Sequence, residues 1–100
     1  MSYVKQGKVF GKGAKFKVVL GFEPKVVELF NAAAGGLTSA FKTKLMDGEY
    51  AKKTVPAGTV TYANNMVEIV SDGFYVGADA DLNASGEEIF YAAYESNHSD

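Results

Sequence analysis

The segment Glu88–Glu95 reads EIFYAAYE. At a period of two, Ile89, Tyr91 and Ala93 fall on one side, with Phe90, Ala92 and Tyr94 on the other. A sheet with one wet face needs strands that alternate apolar with polar, and this strand does not. Either both sides are covered within the molecule or one side meets another protein. Tyrosine suits the second case, because its ring packs while its tip stays polar. Phe90, Tyr91 and Tyr94 are therefore the candidate interface residues.

Just upstream, Gly77–Glu87 reads GADADLNASGE, with Asp79, Asp81, Asn83, Ser85 and Glu87 at alternate positions. A calcium loop of the EF-hand type wants oxygen ligands at its first, third and fifth positions, glycine at the sixth and glutamate at the twelfth. Asp79, Asp81 and Asn83 meet the first demand, but Ala84 and Phe90 stand where the glycine and glutamate belong. The flanks are also strand-like. Small polar side chains that bond nearby amides, with Gly86 for freedom, make a structured turn that delivers Ile89 into the core. No metal site is assigned here.

Further back the same periodicity recurs. In Ala14–Leu20, Phe16, Val18 and Leu20 share one phase and Lys15 and Lys17 the other. After the Gly21–Pro24 turn, KVVELFN is ambiguous. A short helix near 25–34 is compatible with Pro24 at its start and Gly35 at its end. A strand ending near Asn31 is favoured by the adjacent valines, with Val27 and Leu29 facing one way. In Leu37–Met46, Phe41, Thr43 and Leu45 line one side and Lys42 and Lys44 the other. Asp47-Gly48, Pro56-Ala57-Gly58, Asn64-Asn65 and Ser71-Asp72-Gly73 are turns. Between them lie short β-prone runs at 49–55, 59–63, 66–70 and 74–76.

The chain of 100 residues is long enough for one domain, and its 47% apolar content suits a packed core. The expected fold is all-β: a small antiparallel β-sandwich of about seven or eight short strands. Residues 14–95 form that domain. Residues 1–13, with glycines at 7, 11 and 13, read as a flexible arm, compatible with a short edge strand at Ser2–Lys5 before it, and 96–100 as a fraying tail.

Chemistry finds little support. There is no cysteine, and the single histidine, His98, lies in the polar tail where nothing holds a general base. No serine sits in a G-x-S-x-G elbow, and GKGAK at Gly11–Lys15 lacks the spacing of a phosphate loop. Asp79 with Asp81 is the nearest approach to a glycosidase acid pair, without an aromatic groove tied to it. The reading is of a non-enzyme with no catalytic residue and no cofactor. A net charge of -2 argues against nucleic acid as the main partner, and no apolar run is long enough to span a membrane as a helix. The start, MSYVKQGKVFGKG, has no hydrophobic signal core, so synthesis in a cytoplasm is expected.

Two stretches carry a resemblance. VVLGFEPKVVELFN (Val18–Asn31) and VEIVSDGFYVGADADLNASGEEIFYAAY (Val67–Tyr94) resemble segments of small tailed-bacteriophage virion proteins. In these a GF-x-P turn leads to a strand, and a late DGF segment leads to a closing aromatic strand. Here the matching positions are Gly21, Phe22 and Pro24, then Asp72, Gly73, Phe74, Gly77, Asp79, Asn83, Gly86, Tyr91 and Ala93. The resemblance implies a virion structural protein, made in the host cytoplasm and located in the particle. As a capsid decoration subunit it would bind the major capsid protein or another virion protein and form homo-oligomers. The alternative it leaves is a tail or fibre domain that binds carbohydrate or a host surface, with Tyr50, Tyr62 or Tyr75 beside polar loops and calcium at Asp79, Asp81 and Asn83.

Overall fold

Period-two burial is clearest over Val26–Asn31 and Ser39–Thr43. A computed structural model describes residues 4–33 and 37–95. Nine strands follow one another among them: β1 (Val4–Phe10), β2 (Phe16–Val19), β3 (Val26–Asn31), β4 (Ser39–Thr43), β5 (Ala51–Thr54), β6 (Val60–Ala63), β7 (Val67–Val70), β8 (Gly73–Val76) and β9 (Glu88–Tyr94). No helix occurs among the described residues. The domain is all-β, with two open antiparallel sheets: six strands in the order β1-β9-β3-β4-β5-β6, and three in the order β2-β8-β7.

The two sheets bury a common core. Val27, Leu29, Ile89 and Ala93 come from the larger sheet, Val18, Val67, Phe74 and Val76 from the smaller, and Leu82 from the β8–β9 loop. The apolar phase of Phe16, Val18 and Leu20 points into this core, while Val19 on the opposite side is exposed. In the segment 25–34, ambiguous between helix and strand, Val26–Asn31 is the strand β3, buried at Val27, Leu29 and Asn31. Val26 and Phe30, four apart, share the outer side of the sheet, because Val26 lies opposite Tyr94 and Phe30 opposite Phe90.

The arm expected at residues 1–13 is corrected from Val4 onward. Each residue of β1 is in register with one of β9, from Val4 opposite Tyr94 to Phe10 opposite Glu88. Gly7, which suggested looseness, is required by packing: a Cβ there would come within 2.5 Å of the Tyr91 hydroxyl, so the ring occupies the space a side chain would take. Gly11 is equally constrained, since its Cβ would collide with the Ala84 carbonyl. The expected tail at 96–100, with His98, lies outside the described residues.

Candidate functional site

The outer side of the six-stranded sheet follows from its register. Residues opposite one another in antiparallel strands point the same way. One row across all six strands is Lys8, Phe90, Phe30, Ser39, Thr54 and Val60. The next is Gln6, Ala92, Glu28, Phe41, Lys52 and Tyr62. A third, over four strands, is Val4, Tyr94, Val26 and Thr43. Small Ala92 and Ser39 stand between bulky Phe90, Phe30 and Phe41, leaving a shallow groove of about 810 Å³. Phe30 and Phe90, directly opposite each other, are 43% and 44% exposed. At the groove's side the Lys52 ammonium lies 5.3 Å from the Phe41 ring centre. Lys8 pairs with Glu88 at 3.0 Å.

The three residues singled out in β9 therefore separate. Phe90 and Tyr94 are on this outer side, Tyr94 half-buried between Val4 and Val26. Tyr91 points the other way: its ring meets Phe74 edge-on at 5.6 Å and spans Gly7. The strand has two apolar sides because one is core and the other is the open groove. Phe30 and Phe41 complete the aromatic patch but were not identifiable as its members from sequence. For Phe41 the reason is Lys42.

Lys42 is 1% exposed on the core side of β4. Its ammonium donates to the carbonyls of Met46, Asp47, Gly48 and Tyr50 at 3.2, 3.0, 2.8 and 2.7 Å. The β4–β5 loop is wrapped around this charge, and Phe41 is turned outward in consequence. Burial lowers the lysine's pKa from its usual value, opposed by the charges of Asp47, Glu68 and Glu49.

At the β8–β9 loop the acidic residues are engaged within the chain. One Asp79 oxygen accepts from the backbone N–H groups of Asp81 and Leu82 at 2.9 and 3.1 Å. The Lys53 ammonium donates to Asp79 at 2.9 Å and to Asp81 at 2.8 Å, between the two carboxylates. Burial pulls the pKa of Lys53 down, but the bonds to Asp81 and Asp79 outweigh it and the net shift is upward. Buried Asn83 donates to the carbonyls of Ala14 and Gly77, each at 2.8 Å, and accepts from the N–H of Lys12 at 2.8 Å. Buried Asn31 donates to the Leu82 carbonyl and to Glu87, both at 2.9 Å. The segment is thus a turn that holds its own backbone. No group of three or more metal-ligating side chains occurs among the described residues.

The tyrosines named for a sugar site are also committed. Tyr50 and Tyr62 pack at 5.0 Å between ring centres, and the Tyr62 hydroxyl accepts from the N–H of Asp47 at 2.9 Å. Tyr75 lies on the outside of the smaller sheet beneath Lys15, 4.8 Å from its ammonium. The chain matches no protein-family model, no curated protein and no solved structure.

Proposed function

We propose that this protein is a bacteriophage virion structural protein, a β-sandwich that decorates the capsid by protein–protein contact through the outer side of its larger sheet. The observation that carries the contact is the patch made by Phe30, Phe41 and Phe90, with Glu28 set among them and Gln6, Lys8, Lys52 and Thr54 around it. Large exposed aromatics grouped in a hollow with a polar rim are what a protein contact uses, whereas scattered single apolar residues need no explanation. The virion setting rests on the resemblance of Val18–Asn31 and Val67–Tyr94. Repetition on a shell makes a modest contact effective, because neighbouring contacts raise the effective concentration of each next one. The partner in this reading is the major capsid protein or another virion protein.

The test is co-sedimentation with undecorated capsids of the phage that encodes the protein. The unaltered chain is expected to bind, and a folded Phe30→Ser/Phe90→Ser variant to lose at least about tenfold in affinity, as for two central contact residues. Unchanged binding by that variant removes the sheet face from the reading, and no binding by either protein removes the decoration role. The same hollow supports a second reading, a tail or fibre domain binding carbohydrate, since a ring lined with polar groups can lie on phenylalanines. A glycan array with the same variant separates the two. In this second reading calcium is not invoked at Asp79 and Asp81, whose carboxylates both pair with Lys53.

A further inference from the structure

β1 is one edge of the six-stranded sheet and, with β9, its longest strand. The hydrogen bond from the N–H of Gly11 to the carbonyl of Glu87, at 2.8 Å, fixes the phase of the β1–β9 ladder. Because bonded and non-bonded pairs alternate, Lys5, Gly7 and Val9 exchange bonds with β9. The backbone N–H and C=O groups of Val4, Gln6, Lys8 and Phe10 point out of the edge. Such an edge is a template for another strand unless something blunts it. β1 contains no proline, and all seven of its residues stay in register with β9, so no bulge interrupts it.

We propose that this edge pairs with β1 of a second copy of the chain, antiparallel, about a two-fold axis at Gly7. This deepens the repeated-copy part of the proposed function and rests on it only for its purpose, not for its geometry. The sequence VKQGKVF is close to self-complementary about its centre. With Gly7 on the axis, Val4 meets Phe10 of the second copy, Lys5 meets Val9, and Gln6 meets Lys8. Both outward-bonding sets are the even-numbered residues, and this register places even against even, so all of them find partners. A shift by one residue mismatches the sets. A shift by two in one direction sets Lys8 against Lys8 and Gln6 against Phe10. In the other direction Val4 faces Lys8, and Phe10 has no partner within β1. The lysines therefore select the register rather than forbid pairing, and each Lys8 is already neutralised by Glu88 at 3.0 Å. Val4 and Phe10, 56% and 53% exposed at opposite ends of the strand, cover each other in both copies. A two-fold axis normal to the sheet keeps outer side with outer side, and the two grooves join on one continuous surface.

A seven-residue edge buries little area, so the dimer is concentration-dependent. Light scattering is expected to show the mass rising with concentration toward twice the 10.7 kDa of one chain. Lys8→Pro removes an N–H that points away from β9, leaves the domain's own ladder intact, and is expected to hold the protein monomeric. The register is read separately with Gln6→Cys and Lys8→Cys proteins, since the native chain has no cysteine. Oxidised after mixing, they are expected to give a disulfide-linked pair that exceeds the homodimers from either protein alone. A mass that stays monomeric at the highest soluble concentration overturns the proposal, as does a dimer that survives Lys8→Pro or cross-links best through Gln6→Cys alone. Phe30→Ser/Phe90→Ser is expected to dimerise normally. No dimer from the unaltered chain, with its capsid binding retained, defeats this proposal alone, and a dimer that does not bind capsids defeats the decoration reading alone.

Discussion

Lys42 shows how one side chain reverses the reading of a strand. An alternating Phe-Lys-Thr-Lys run normally points its lysines to water, which would put Phe41 in the core. Here the ammonium is enclosed by the carbonyls of the loop that follows, and these supply in the interior what water supplies outside. Such an arrangement leaves no mark in a local pattern, because the acceptors are backbone atoms. Phe41's membership of the outer patch was illegible for this reason. Lys42→Met keeps the volume but strands those acceptors. It is expected to lower stability by roughly 1–3 kcal/mol, the cost of unsatisfied buried polar groups, as measured by urea unfolding. A melt unchanged from that of the unaltered chain would mean the cage contributes nothing.

At the scale of elements, Phe16–Val19 and Ser39–Thr43 were legible from period two, and the runs at 49–55, 59–63, 66–70 and 74–76 mainly from the turns that bound them. Asn65, in the turn read at Asn64-Asn65, has a positive φ of 61°, and Gly48 in Asp47-Gly48 one of 34°. β1 was legible only at its start, as a short edge strand over Ser2–Lys5. Gly7 signals flexibility in isolation, and only the ring of Tyr91, far along the chain, gives it a packing role. The β8–β9 loop was read correctly as a self-bonded turn, but the lysine that ties down its acids comes from β5 and could not be named. That tie has a pH signature. Lys53 has its folded pKa raised above the unfolded value of 10.5, so its contribution is complete below 10.5 and is lost as pH climbs through the folded value. The thermal midpoint is expected to fall as pH rises above 10.5, and to fall less in Asp79→Asn/Asp81→Asn, where the partners that raise Lys53 are gone. Equal slopes in the two proteins would deny the linkage.

For the molecule as a whole, the shared core and the open side of the larger sheet should answer differently to truncation. Phe74 is fully buried at the centre of the core, and Phe74→Ala is expected to destabilise by about 3–5 kcal/mol. Phe90→Ser, on the open side, is expected to stay within about 1 kcal/mol of the unaltered chain, since half its surface is already in water. A Phe90→Ser loss as large as that of Phe74→Ala in chemical denaturation would make the patch part of the core rather than a contact. The proposed assembly role rests, in the sequence, only on the two apolar sides of β9, and the sequence could not say which of them the molecule fills for itself. The pairing of β1 with β9 carries one more consequence. Val4 lies opposite Tyr94, so the beginning and end of the described chain sit side by side at one corner of the sheet. A few glycines joining them would close the backbone into a ring, and fresh ends opened at the Pro56–Gly58 tip would give a permuted chain with every strand partner preserved.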